Sequence, residues 1–204
     1  MIKKINNYIS TEIHTISNLD INKINSLYQI LDDCLNNNKK VYIFGNGGSA
    51  STASHMANDF NKAIFNNNEH LFNFICLNDN IPTLLAIAND ETYDEVFRYQ
   101  LQGRITKNDV VIAISGSGNS KNIINACTYA KDIGTTIIGF TGYDGGKLKQ
   151  ISNLSIDTNI NNMQITEDIH LLIEHLLISI FYQNYGQKEY KKKTLTKERR
   201  NNNE

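Results

Sequence analysis

Two histidines and two carboxylates in this chain stand at spacings that bring them onto shared helix faces. His55 and Asp59 are four residues apart, and in a helix that spacing puts both side chains over one patch of surface. Glu167 and His175 are eight apart, an offset of about 80° around a helix, so both lie on one side of it. Imidazole nitrogens and carboxylate oxygens are the donor set of a Zn²⁺ shell. The same groups act as general acids and bases when a proton next to a carbonyl must be moved. Taken singly, a histidine on an amphipathic helix is more simply a packing or hydrogen-bonding residue. His14 and His70 have no chemical companions and carry only that simpler reading, while His170 is rotated away from His175 and is expected at an interface or in support of the site.

Two glycine-rich segments could present such a site to a ligand. "GNGGSAS" (45–51) follows the apolar run "VYIF", with Gly45, Gly47 and Gly48 free to take positive φ and Ser49 or Ser51 able to cap a helix. "SGSGNS" (115–120) follows "VVIAIS" and directly precedes a helical stretch from Lys121. Its three hydroxyls and exposed N–H groups at a helix start can hold a phosphate dianion without a lysine, because the donors converge and the helix dipole assists. Neither segment contains the GxxxxGK[ST] or complete GxGxxG pattern, which argues against a nucleotide site.

The elements that must position these residues alternate. Apolar positions at helical spacing (Ile2, Ile5, Ile9, Ile13, Ile16, then Ile21, Ile24, Leu27, Tyr28, Leu31, Leu35) predict two amphipathic helices before the first strand. Short apolar runs follow: "VYIF", "FNFICL", "VVIAIS", "TIIGFT" and the weaker "LSI". Helical stretches separate them over Ala50 to Lys62, Tyr93 to Gln102 and Lys121 to Ile133, and Pro82 suits the first turn of another short helix. Strands that read as buried on both faces, joined by helices, predict an α/β fold with a doubly wound parallel sheet. A long last helix is expected over Glu167 to Tyr185, and residues 187–204 read as a basic, solvated tail.

Composition narrows the partners. The chain has 204 residues, enough for one domain, and a formal net charge of -1. That balance offers no general attraction to nucleic acid or to an acidic membrane surface. No apolar stretch is long enough to span a bilayer. Cys34, Cys76 and Cys127 lack metal or redox spacing and read as reduced core thiols, which points to the cytoplasm.

In chain order, "GNGGSAS" with His55 and Asp59, "AND" (88–90), "SGSGNS", "TGYDGG" (141–146) and "EDIHLLIEH" (167–175) resemble the sugar isomerase (SIS) domain family, and within it the phosphoheptose isomerases. The resemblance covers residues 1–186 as one domain and leaves out the tail. It implies a flavodoxin-like sheet and a homotetramer with active sites between subunits. The implied activity interconverts sedoheptulose 7-phosphate and D-glycero-D-manno-heptose 7-phosphate through a cis-enediol, for bacterial surface heptose.

The same resemblance assigns Ser115, Ser117 and Ser120, with the Gly116 backbone, to the phosphate. Asn46, Gly47 and Gly48 line the sugar, and Asn89 and Asp90 contact its hydroxyls. His55, Asp59, Glu167 and His175 form the metal set, with Zn²⁺ as the metal. Asp59 is the leading base, His175 its acid–base partner, and Glu167 the second candidate base and a sugar contact. Two positions differ from the commoner pattern: Asp59 replaces a glutamate and Glu167 replaces a glutamine. The readings that compete with this one are an isomerase for another phosphosugar and a non-catalytic sugar-phosphate-binding or adaptor protein.

Overall fold

Along each central strand the side chains alternate between two apolar layers. The computed structural model describes residues 1–63 and 71–186, so His70 and the expected tail at 187–204 lie outside the described residues. Five strands form one sheet: β1 (Lys40–Gly45), β2 (Asn73–Cys76), β3 (Val110–Ser115), β4 (Thr136–Thr141) and β5 (Leu154–Asp157). All pairings are parallel and the order is β2-β1-β3-β4-β5. This is the flavodoxin-like order. Every residue of β3 is buried, as its unbroken apolar run requires.

Val41, Ile43, Val110, Ile112, Ile114, Ile138 and Phe140 face one layer, made by α2 (Ile21–Asn36), α3 (Gly48–Ala63) and α8 (Met163–Phe181). Tyr42, Phe44, Val111, Ala113 and Ile137 face the other, where Phe97, Leu101, Ile123, Ala126 and Leu148 cover them. That second layer contains α5 (Arg98–Leu101), α6 (Lys121–Ile133) and the six-residue α7 (Gly146–Ile151). α1 (Ile2–Ser17) stands outside, joined to α8 by a hydrogen bond from the Tyr8 hydroxyl to Asp168 at 2.6 Å. Its Ile2, Ile5, Ile9 and Ile13 remain exposed.

Local chemistry sets the helix ends. Asp20 accepts from the N–H groups of Asn22 and Lys23 to start α2. Asn80 caps α4 (Ile81–Asp90), with Pro82 in its first turn as expected. Asn162 caps α8, which therefore begins at Met163 rather than Glu167, and a π turn over 182–186 ends it. Gly134, at φ +83°, closes α6. The single helix expected over Tyr93 to Gln102 is instead a 3₁₀ turn (Tyr93–Glu95), capped by Thr92 accepting from Asp94 N–H, followed by α5. Ser49 and Ser51 lie inside α3 and do not cap it.

Asp157, at the carboxyl end of β5, joins the layers. It accepts from Lys23 of α2 at 2.9 Å and from Thr141 of β4 at 2.7 Å, and pairs with Lys149 of α7 at 3.2 Å. Burial alone would raise its carboxyl, but hydrogen bonds from Ser155, Lys23, Thr141 and Lys149 outweigh burial and hold it down at about 2. A depressed carboxyl contributes stability above its unfolded value and loses it as pH falls through the folded one. Asp157→Asn should therefore lower unfolding free energy by about 1–2 kcal/mol at neutral pH, the lysines being partly exposed. In denaturant titrations that deficit should shrink between about pH 4 and pH 2; a deficit independent of pH would refute the assignment.

Candidate functional site

The loops that leave β1 and β3 open at the carboxyl edge of the sheet, where doubly wound folds bind ligands. After β1, Asn78 latches Gly45 by accepting from its N–H at 3.1 Å and donating to its carbonyl at 2.9 Å. Asn46 then exchanges two amide hydrogen bonds with Asn122, each 2.9 Å, and accepts a third from the Tyr93 hydroxyl at 2.9 Å. Gly47 turns the chain with φ +55°, and Gly48 opens α3. A Cβ on Gly48 would lie 2.4 Å from a Glu167 carboxylate oxygen, so the glycine is what admits that side chain to the start of α3. A carboxylate is favoured there by the helix dipole.

After β3, Ser115 is buried, and its hydroxyl is 3.5 Å from that of Ser120. Ser117 accepts from Asn119 N–H at 3.3 Å. Ser120 occupies the cap position of α6, yet its side chain makes no capping hydrogen bond. Its hydroxyl and the first N–H groups of α6 can thus converge on an anion. Gly116 is held by its carbonyl, which accepts from Gly142 N–H at 2.8 Å, and a Cβ there would lie 2.5 Å from Met163 Sδ. Asn89 and Asp90 sit exposed at the end of α4 and bond to each other at 2.9 Å.

The titratable group is built where α3 crosses α8. His55 Nε2 is 3.0 Å from His175 Nε2 and 3.4 Å from Asp59 Oδ2. The fourth member is Glu174, whose Oε2 lies 3.3 Å from His175 Nε2 and 3.7 Å from His55 Nε2. One ligand atom from each of His55, Asp59, Glu174 and His175 lies within 4.8 Å of all the others, a set that could hold a metal ion. Burial, and then the charge of Asp59, push the Glu174 carboxyl up to about 7.

The expected set had Glu167 where the structure brings Glu174 to the histidines. Glu167 shares a side of α8 with His175, but eight residues advance a helix by about 12 Å, so angular agreement does not bring the two together. Glu167 instead meets Gly48 at the start of α3. Glu174, Asn122 and Tyr93 were absent from the sequence reading. Glu174 adjoins His175, and a glutamate on the apolar side of a buried helix is a signal that could have been followed. His170 is not at a surface: it is buried beside Phe140, its Nε2 is 3.3 Å from the Thr141 carbonyl oxygen, and burial pushes it down to about 4.

The SIS domain family matches residues 6–142, and the chain belongs to that family. A phosphoheptose isomerase of Helicobacter pylori (strain HPAG1) is 38% identical over 156 residues, 76% of this chain and 81% of the relative. Among solved structures, phosphoheptose isomerase from Neisseria gonorrhoeae superposes with a TM-score of 0.79 at 26% identity, covering 87% of this chain and 96% of that one. The Francisella tularensis phosphoheptose isomerase gives 0.78 at 28%, covering 89% and 98%.

The reciprocal Asn46–Asn122 pair is the strut of the first loop, since Asn122 is buried. Asn122→Ala should cost about 1–3 kcal/mol, because it leaves the Asn46 amide short of partners. Urea unfolding would measure this, and an unchanged midpoint would show that the loop is held by other contacts.

Proposed function

We propose that the protein is a phosphosugar isomerase that interconverts sedoheptulose 7-phosphate and D-glycero-D-manno-heptose 7-phosphate. The observation that carries this reading is the presence of a hydroxyl-lined helix start after β3 together with a group of imidazoles and carboxylates where α3 crosses α8. Kinship to phosphoheptose isomerases selects the heptose among phosphosugars.

In this reading Ser115, Ser117 and Ser120, with the Gly116 backbone, bind the phosphate. Asn46, Gly47 and Gly48 line the sugar, and Asn89 and Asp90 take hydroxyls. A base removes the proton from C1 of the ketose while an acid protonates the C2 oxygen, giving the cis-enediol. Return of a proton to C2 and loss of the O1 proton complete the aldose. Asp59 is the first candidate base, with His175 as its acid–base partner; Glu167, against the sugar loop, is the second. His55, Asp59 and His175 have the donor chemistry for Zn²⁺, and two Nε2 atoms facing each other at 3.0 Å suit a shared cation. Such an ion, when bound, supplies positive charge to polarise a carbonyl and stabilise developing oxyanions.

A homotetramer with sites between subunits belongs to the same reading. It is supported by the uncovered isoleucines of α1. No helix among the described residues is long and apolar enough to cross a membrane, and we assign the protein to the cytoplasm, its thiols Cys34 and Cys127 being buried and unpaired.

Incubation with sedoheptulose 7-phosphate, with and without Zn²⁺, should yield the heptose 7-phosphate; no product under either condition would overturn the reading. Ser115→Ala with Ser117→Ala removes charge-assisted hydrogen bonds worth about 1.5–3 kcal/mol each and should weaken sugar-phosphate binding at least tenfold by calorimetry. Asp59→Asn should depress kcat by about 10²-fold or more while Kd changes little, as for a group needed mainly in the transition state. Parallel losses in both parameters would instead make Asp59 a binding residue.

A further inference from the structure

Every carbonyl oxygen from Ser115 to Gly118 accepts a hydrogen bond from the protein. Ser115 accepts from Gly118 N–H at 2.9 Å, and Gly116 from Gly142 N–H at 2.8 Å. Gly118 accepts from Leu148 N–H at 2.9 Å. Ser117 has its partner in a side chain: Asn119 Nδ2 donates to its carbonyl at 2.9 Å. Asn119 Oδ1 in turn accepts from Lys147 N–H at 3.2 Å. A backbone N–H can only donate, so Lys147 fixes which end of the amide carries the oxygen. The segment "TGYDGG" (141–146) and the first turn of α7 thus hold Gly116 and Gly118 directly, and Ser117 through Asn119.

A carbonyl oxygen facing a phosphate repels it, whereas N–H and hydroxyl groups attract it. With its carbonyls engaged, the loop offers an anion its serine hydroxyls and N–H groups. The contact with "TGYDGG" is so close that it requires glycine. Gly118, at φ +63°, would place a Cβ 2.0 Å from the Gly145 carbonyl oxygen. Gly145 and Gly146 have φ of +88° and +53°, and a Cβ on Gly146 would lie 2.5 Å from Asn119 Nδ2. Asp144 accepts from Gly146 N–H at 3.1 Å and closes the turn. The Asn119 side chain is exposed, so it fills no core position, and what it does is make these two hydrogen bonds.

We infer that Asn119 is a positioning residue for phosphate recognition. Seated against the Gly145–Gly146 turn, its amide ties the Ser117 carbonyl to α7 and keeps the loop in the form that presents donors to a dianion. The inference rests on the reading of residues 115–120 as the phosphate loop and adds to it the segment that shapes that loop.

Calorimetry of the full chain with inorganic phosphate and with sedoheptulose 7-phosphate tests this, beside steady-state turnover and thermal melting. Asn119→Ala should weaken binding of both ligands by about tenfold or more, the scale of one lost charge-assisted hydrogen bond. KM for the sugar phosphate should rise to match while kcat stays within about threefold, as for binding shared by ground and transition states. Because Asn119 is exposed, the melting temperature without ligand should stay within about 2 °C of wild type. Asn119→Asp keeps the shape and the acceptor for Lys147 N–H but loses the donor to Ser117, and should not restore affinity.

Wild-type affinity in Asn119→Ala, recovery of affinity in Asn119→Asp, or a fall in kcat and melting temperature with KM unchanged would each overturn the inference. The isomerase reading is scored apart from it. A wild type that binds inorganic phosphate, loses it in Asn119→Ala and yet converts no sugar phosphate would sink the isomerase reading alone. Turnover with an unchanged KM in Asn119→Ala would sink this inference alone, and a wild type that binds neither ligand would overturn both.

Discussion

Phe60 of α3 and Phe181 of α8 meet edge to face, 5.8 Å between ring centroids, and Phe72 and Phe74 close around them. Ala53 and Ala57 keep the facing side of α3 small, so the two helices can approach over Ile169, Ile173 and Leu177. This contact sets the register between the helices. A slip by one residue on either would turn a histidine by about 100° and separate the imidazoles. The chemistry of the site is therefore a by-product of apolar packing two turns away, and the aromatic cluster at the end of the helices is as much a positioning device as a core.

The loop after β3 and the α3–α8 crossing are two environments of opposite preference. Around the start of α6, the first N–H groups of the helix and a Ser120 hydroxyl that caps none of them favour an anion. At the α3–α8 crossing, Asp59 and Glu174 favour a cation or a proton. The Asn46–Asn122 pair bridges the loops that lead from these regions, linking the β1 exit to the first turn of α6. A phosphorylated sugar has just this asymmetry, with a dianion at one end and a reactive carbonyl at the other. The two ends are held by different elements, which leaves the phosphate grip indifferent to what happens at the crossing.

Most of the fold was legible in the sequence because its signals are local. The runs "VYIF", "VVIAIS" and "TIIGFT" fall within β1, β3 and β4, and the stretch Lys121 to Ile133 coincides with α6, since apolar period and a C-terminal glycine mark both kinds of element without tertiary information. α7 escaped notice because six residues give too short a period to read. The site was legible in part. The structure brings the i, i+4 pair His55 and Asp59 together with His175, as the spacing suggested, and sets Glu174 rather than Glu167 beside them. Face angle within α8 follows from sequence, whereas the level at which α8 crosses α3 does not. That level is set by side chains such as Phe60 and Phe181, and it selects Glu174 over Glu167.

The two departures from the commoner family pattern gain a common physical sense from this crossing. Asp59 is about one methylene shorter than glutamate, and a displacement on the order of 1 Å is costly where groups must converge. Glu174 approaches the imidazoles from the opposite helix, so a second carboxylate can complete the group without Asp59 spanning it. Glu167, no longer required there, carries its charge to the start of α3, where the helix dipole and the absence of a Cβ on Gly48 accommodate it. Three carboxylates thus occupy two compartments, two at the histidines and one at the loop after β1.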